Sequence, residues 1–76
     1  MGARNKKPLD YTGLYVRVAE FDGATGLVIA RTAGKINGSD VWLVRVDDNG
    51  IKTNVMLPEY NLSLVSALEQ LANSND

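Results

Sequence analysis

Residues 41–57 read VWLVRVDDNGIKTNVML, and this stretch predicts a β-hairpin. In its first half, Trp42, Val44 and Val46 occupy alternate positions, which is the period of a strand with one buried face. The triplet Asp48-Asn49-Gly50 then favours the positive φ angles of a tight chain reversal. We therefore expect Trp42 to lie in the core. The return strand should place alternate residues on one face, and these are Ile51, Thr53, Val55 and Leu57.

Downstream of the hairpin, the sequence predicts a turn and a brief last strand. Pro58 has no N–H to donate to a sheet, so we expect the chain to leave the strand there and to form one turn of 3₁₀ helix. The apolar residues within 62–65 then predict the final strand.

A short helix is predicted near the C-terminal end, over about residues 66–73. Ser66 and Glu69 have the spacing of a capping box, in which each side chain accepts the backbone N–H of the other residue. A helix of only two turns is not stable alone in water. Leu68 and Leu71 are therefore expected to dock on the barrel or on another subunit.

Two further strands are predicted in the first half of the chain. Within residues 14–19, valines alternate with Arg17, which is again the period of a half-buried strand. Val16 and Val18 should therefore face the core, and Arg17 should point to solvent.

The stretch FDGATGLVIA at residues 21–30 contains two glycines three positions apart. A phosphate-binding loop would need a different glycine pattern that opens a helix, whereas a β-rich apolar run follows here. We expect a turn at Asp22-Gly23, a bulge at Gly26, and a strand over residues 26–33 that bends or is buried on both faces. The Gly- and Asn-containing residues 34–39 predict a loop.

The composition of the 76 residues is that of one small soluble domain. The chain has no cysteine and no histidine, which excludes disulfides and the usual zinc sites, and its net charge is −1. No apolar run approaches the roughly 20 residues that span a bilayer, and no signal-peptide pattern opens the chain, so we expect a cytoplasmic protein without membrane contact. The basic residues 1–8 should form a flexible arm, and residues 9–76 a single β-barrel domain.

Residues 11–65 resemble a Src-homology-3-like small barrel. The shared features are five short strands, glycine-containing turns, and a turn that begins at a proline before the last strand. Residues 13–18 and 23–28 resemble the opening of KOW-type domains, and residues 57–62, LPEYNL, are similar to the closing segment of this group. The resemblance implies an all-β, five-stranded Src-homology-3-like barrel with a short C-terminal helix. Such barrels serve as ribosomal and transcription-factor modules, peptide-binding adaptors, subunits of larger enzymes, and small proteins of mobile gene cassettes.

One type of enzyme in this group is an alternative. The plasmid-borne, trimethoprim-resistant type of dihydrofolate reductase assembles around a pore that is lined by a Val-Gln-Ile-Tyr stretch just before a proline. Residues 54–57 of this chain read NVML before Pro58 and lack both the glutamine and the tyrosine. The acidic pair Asp47-Asp48 adjoins a turn, where aspartates bond local amides. We therefore predict no catalytic, cofactor-binding or metal-binding residues, and a pore-type oligomeric enzyme is the weaker alternative.

A nucleic-acid-binding module of the KOW type is the other alternative. Such a module would use basic side chains together with an aromatic residue that stacks on a base. The candidate contacts are Arg17, Arg31, Lys35 and Arg45, with Tyr15 or Phe21 as the stacking residue. The acidic isoelectric point of about 5.2 argues against this alternative. A peptide groove would instead need exposed aromatic residues, for which the candidates are Tyr11, Tyr15 and Tyr60.

The function that we favour from the sequence is a non-catalytic binding or interaction module that self-associates. The apolar runs at 27–30 and 41–44 offer more apolar faces than one small barrel encloses, and exposed apolar surface marks interfaces. The expected partner is a second copy in a closed homo-oligomer, or another protein or peptide. The residues expected at an interface are Leu27, Ile29, Leu43, Met56, Leu68 and Leu71.

Overall fold

Five antiparallel strands form a single sheet in the computed structural model, which describes residues 10–74. Single 3₁₀ turns connect β1 to β2 at Ala19–Phe21 and β4 to β5 at Glu59–Asn61. The predicted all-β domain with five strands and a short C-terminal helix is confirmed, while the predicted basic arm at 1–8 lies outside the described residues. In chain order the elements are β1 (Tyr15–Val18), β2 (Ala24–Ile36), β3 (Ser39–Asp48), β4 (Ile51–Pro58), β5 (Leu62–Leu64) and the helix α1 (Ala67–Ser74).

The order of the strands across the sheet is β4-β3-β2-β1-β5, and every neighbouring pair is antiparallel. The strands β4 and β5 are thus the two edges, and no ladder joins them in the part of the chain that the structure describes. The sheet is open at these edges, which differs from the closed barrel suggested by the sequence.

The core lies on one face of the sheet and is built from alternate residues of its strands. Trp42, Val44 and Val46 of β3 are fully buried, as their spacing predicted, and so are Val16 and Val18 of β1. Burying each such side chain stabilises the fold by about 1.5–3 kcal/mol, so the sheet depends on this apolar layer. The other buried apolar residues are Val28, Val41, Leu57 and Leu62.

The strands β3 and β4 form the predicted hairpin. Asn49 and Gly50 adopt positive φ angles of 55° and 86° in a two-residue turn. The ladder then runs without a break from Asp48 opposite Ile51 to the end of β4 at Pro58. An unbroken ladder of this length makes β3 and β4 the most regular pair in the sheet.

Pro58 is the last residue of β4, opposite Val41, and not the first residue of a turn as the sequence suggested. Residues beside a two-residue turn exchange hydrogen bonds, so Ile51 points its N–H toward β3, and the direction alternates from there along β4. At the position of Pro58, an N–H group would point away from β3. The ladder between β3 and β4 therefore loses no hydrogen bond, although proline has no N–H. The predicted 3₁₀ turn begins one residue later, at Glu59.

The strand β2 extends through the region where the sequence predicted a loop. Residues 34–36 continue the strand and β3 begins at Ser39, so only Asn37 and Gly38 form the connection. Both have positive φ angles, 50° and 79°, which is the two-residue hairpin turn that an Asn-Gly pair favours. The prediction of a loop over residues 34–39 was wrong, because a single Asn-Gly pair is enough to reverse the chain.

The predicted bulge at Gly26 is also wrong. Gly26 pairs in register with Val46, and the register shifts instead between Val28 and Ala30. A Cβ atom on Gly26 would lie 2.7 Å from Cγ1 of Val44, which is closer than carbon atoms approach. Glycine is therefore required at this position for the close packing of the core.

The helix α1 begins as the capping pattern predicted. The N–H of Glu69 donates to Oγ of Ser66 at 3.2 Å, which satisfies one of the free donors of the first turn.

The described residues contain no helix that is long and apolar enough to span a bilayer.

Candidate functional site

The helix α1 is attached to the sheet by polar side chains. The side-chain amide of Gln70 accepts a hydrogen bond from the backbone N–H of Tyr15 and donates one to the Tyr15 carbonyl, both at 2.7 Å. The next residue of β1, Val16, is already paired with Leu64, the last residue of β5. The side-chain amide of Gln70 therefore continues the hydrogen-bond ladder beyond the end of β5, and it covers the backbone of β1 at Tyr15.

An ion pair holds the first turn of α1 to the same strand. Glu69 accepts a hydrogen bond from the guanidinium group of Arg17, which also donates to the carbonyl of Gly23 at 3.4 Å. The two charged side chains are 50% and 35% exposed. Water screens such a pair, so it contributes about 0.2–1 kcal/mol and serves mainly to orient the helix.

The leucines of α1 face away from the sheet. Because successive helix residues are rotated by about 100°, Leu68 and Leu71 lie on the side opposite Glu69 and Gln70. Leu68 is 79% exposed and Leu71 is 61% exposed. The sequence left two alternatives open for these leucines, which were docking on the barrel and docking on another subunit. In the structure, they do not dock on the sheet of their own chain.

Three other residues predicted for an interface lie on the face of the sheet that is turned away from the core. Leu43 stands directly opposite Met56, and Leu27 lies on the same face of β2, opposite Arg45. Met56 is 65% exposed, while Leu27 and Leu43 are half-buried. We call Leu27, Leu43 and Met56 the outer apolar patch. Ile29 is not part of it, because it occupies the bulge in β2, where it is half-buried.

The basic residues predicted to contact nucleic acid do not share one face. Arg17 and Arg45 lie on the outer face of the sheet, at exposed positions of β1 and β3. Arg31 lies opposite Trp42 on the core side, with its guanidinium carbon 4.7 Å from the centre of the indole ring. Lys35 follows further along β2, near the turn that leads to β3.

Asp40 is the shared partner of two of these cations. Its carboxylate lies 2.7 Å from the guanidinium group of Arg31 and 3.0 Å from the ammonium group of Lys35. The hydrogen bond from Lys35 is the main reason that the pKa of Asp40 is lower than its ordinary value. Both cations are thus bound locally within the β2–β3 hairpin.

Trp42 is engaged within the core rather than offered to a ligand. Its Nε1 donates to Oε1 of Glu59 at 3.2 Å, and the ring of Tyr11 packs beside it with a centroid separation of 5.3 Å. Burial, and then the nearby carboxylate of Glu59, raise the pKa of Tyr11. The three tyrosines considered for a peptide groove have different surroundings, because Tyr15 lies on the outer face and Tyr60 is exposed after β4.

A shallow cleft of about 490 Å³ lies on the outer face, between the β3–β4 turn and the C-terminal end of α1. Within residues 10–74, no group of three or more acidic, cysteine or histidine side chains is placed to hold a metal ion. The cleft mixes charges of both signs with apolar surface, and its lining includes Tyr15, Leu27, Arg45, Asp47, Lys52 and Asn73.

The two edges of the sheet differ in length and in cover. The strand β5 contributes three residues, and Gln70 covers the backbone beyond them. The strand β4 contributes eight residues in unbroken register, and nothing within residues 10–74 pairs with its outer side. Its exposed side chains include Ile51, at 69%, and Met56, and its one charged residue is Lys52. An edge of this kind favours the addition of another strand.

No protein-family model, curated protein or solved structure matches this chain significantly. Sequence reasoning missed Gln70, whose partner Tyr15 is 55 positions away. No local pattern links two such residues, so only the folded structure reveals the contact.

Proposed function

We propose that this chain is a non-catalytic interaction module of the Src-homology-3-like small-barrel type, and that it self-associates. Five antiparallel strands, with a 3₁₀ turn between β4 and β5, support the assignment to this type of barrel. The observation that carries the proposal is the orientation of α1, whose apolar side faces solvent.

A helix of eight residues gains its stability from packing rather than from its own backbone. Here, polar side chains anchor α1 to β1, and Leu68 and Leu71 remain outside. A second surface that covers these leucines would stabilise the assembly by up to about 1.5–3 kcal/mol for each side chain. Exposed apolar groups of this kind are typical of interfaces between proteins.

Two of the acidic residues that an enzyme could use, Asp47 and Glu59, have structural partners. Asp47 accepts the N–H of Gly50 at 2.9 Å and thereby stabilises the β3–β4 turn. Glu59 accepts the indole N–H of Trp42. These contacts support the non-catalytic part of the proposal.

The placement of the basic residues favours an interaction module over a nucleic-acid-binding module. Binding to a phosphate backbone requires several cations on one surface. In this structure, Arg31 and Lys35 both form ion pairs with Asp40. Arg17 forms an ion pair with Glu69 of α1.

Size-exclusion chromatography with light scattering tests the proposal. We expect the wild-type chain at tens of micromolar to have a mass well above 8.2 kDa, and the Leu68→Ser/Leu71→Ser double variant to form a smaller assembly. The matched control is Ile36→Ser, because Ile36 is an exposed apolar residue at the end of β2. A monomeric wild-type chain would overturn the proposal.

A further inference from the structure

The outer edge of β4 presents three residues whose backbone groups point away from β3. The residues beside the Asn49-Gly50 turn exchange hydrogen bonds, so the odd-numbered residues of β4 bond to β3. Lys52, Asn54 and Met56 direct their N–H and C=O groups outward, where nothing in residues 10–74 pairs with them. Pro58 ends this series because it has no N–H.

We propose that this edge binds β4 of a second copy in the antiparallel direction, around a two-fold axis that passes between the two Asn54 residues. This inference rests on the proposed self-association and adds a second contact surface, at the edge of the sheet opposite to the one that α1 covers. The two sheets then form one continuous sheet, with the two β4 strands at its centre.

One register uses every outward backbone group of both edges. With Asn54 opposite Asn54, Lys52 of each copy faces Met56 of the other, and each of the three facing pairs exchanges two hydrogen bonds. A shift by two residues leaves an outward residue opposite Gly50, which lies in the turn, or opposite Pro58, which has no donor. A shift by one residue sets outward groups against groups that are already bonded to β3.

The same register fits the side chains of β4. On the core side, the exposed Ile51 comes to lie opposite Leu57 of the second copy, so the apolar layer continues across the two-fold axis. On the outer face, the methylene groups of Lys52 cover Met56 of the second copy. The two Lys52 side chains start about 14 Å apart along the paired strands, which exceeds the screening length of about 8 Å at physiological salt.

The other edge of the sheet limits this pairing to two copies. Gln70 already occupies the backbone groups of Tyr15, and β5 offers only three residues to a new strand. The part of the chain from residue 10 to residue 74 therefore has one open edge. A single self-complementary edge closes on itself as a two-fold dimer, whereas two open edges would allow a sheet to grow without limit.

Single-cysteine variants test the register, because the chain has no cysteine of its own. Asn54→Cys is expected to form an intermolecular disulfide under mild oxidation, since Cα atoms in a hydrogen-bonded antiparallel pair are about 5.5 Å apart, within disulfide range. Lys52→Cys and Met56→Cys are matched controls on the same edge. Neither should cross-link alone, and an equal mixture of the two should cross-link.

Asn54→Pro tests the hydrogen bonds themselves. The substitution removes the central outward N–H of each copy and leaves the backbone bonds to β3 in place. It also removes Oδ1 of Asn54, which accepts from Nε of Arg45 at 3.4 Å. We expect the dissociation constant of the dimer to rise at least about thirtyfold, because two of the proposed hydrogen bonds are lost. Sedimentation equilibrium measures this constant, and chemical denaturation of the variant shows whether it remains folded.

The outcomes separate this inference from the proposed function. Cross-linking of Asn54→Cys, and of the mixed Lys52→Cys and Met56→Cys variants, supports the register. A wild-type chain that self-associates without these cross-links overturns the β4 pairing and leaves self-association in place. A monomeric wild-type chain overturns both. An edge that binds unrelated extended peptides but not its own copy overturns the β4 pairing alone.

Discussion

The β5 edge of the sheet is three residues long and continues into the side-chain amide of Gln70, whereas the β4 edge runs for eight residues and is uncovered within residues 10–74. Both edges belong to one sheet and share one apolar layer. Because Gln70 covers the β5 edge, a further strand can be added only at the β4 edge of the described sheet. The number of open edges, and not the strength of attraction at either edge, sets the size of an assembly built in this way.

The largest expected effect comes from removing the layer on which both edges depend. Trp42→Ala deletes the largest buried side chain and the partner of the Glu59 carboxylate. We expect the free energy of unfolding to fall by about 3–5 kcal/mol, as measured by urea denaturation followed by circular dichroism. Trp42→Phe is the control, because it keeps most of the apolar volume and should lose less. Equal losses for both variants would contradict a packing role.

A pair of proline substitutions separates the inner side of the β4 edge from its outer side. Thr53 points its N–H toward β3, so Thr53→Pro removes a backbone bond from the ladder. Asn54→Pro removes an outward donor and the long side-chain hydrogen bond from Arg45. We expect Thr53→Pro to lower the free energy of unfolding of the monomer by about 2–3 kcal/mol more than Asn54→Pro does. Denaturation at low protein concentration measures the difference. Similar losses would show that the alternation along β4 is assigned wrongly.

Opening the covered edge should make the two edges alike. Gln70→Ala frees the N–H and C=O groups of Tyr15 and is expected to destabilise the chain by about 1–3 kcal/mol. Light scattering should then show assemblies larger than those of the wild-type chain, because strands can add at both edges. Gln70→Glu is a graded control, since its carboxylate can accept from the Tyr15 N–H but cannot donate to the carbonyl. Unchanged assembly in Gln70→Ala would argue that α1 does not protect the edge.

The smallest expected effect concerns the ion pair that orients α1 at the covered edge. Glu69→Gln removes the charge that binds Arg17 and should lower the free energy of unfolding by about 0.2–1 kcal/mol. The difference from wild type should become smaller in about 1 M salt, where the screening length falls to about 3 Å. Denaturation at two salt concentrations measures this change. A loss of the same size at both salt concentrations would indicate packing rather than charge.

The sequence was sufficient to predict the central part of the fold. Alternation of Trp42, Val44 and Val46 marked the buried face of β3, and the Asn49-Gly50 pair marked the turn into β4. These signals are local, because side-chain direction in a strand repeats every two residues and a tight turn needs particular φ angles. The same is true of the N-cap at Ser66, which bonds a residue only three positions away.

The errors in the sequence-based predictions have a shared physical cause, because the types of residue in a segment do not define which strands pair with it. Residues 34–39 contain turn-forming residues, yet only Asn37 and Gly38 turn, because the strands on both sides find partners. Gly26 is needed for contact with Val44 rather than for a bulge. The sequence left open whether Leu68 and Leu71 of α1 dock on the barrel or on another subunit, because their direction depends on Gln70 and its distant partner.

The contact between Gln70 and Tyr15 also has a consequence for the order of folding. It joins residues 55 positions apart, whereas two-residue turns connect β2 to β3 and β3 to β4. Local hairpins form within microseconds, and contacts between distant residues wait for the closure of a long loop. We therefore expect the β2-β3-β4 meander to form first and α1 to dock last. Until α1 docks, both edges of the sheet are uncovered by residues 10–74, so we expect a higher protein concentration during synthesis or refolding to increase incorrect pairing between chains.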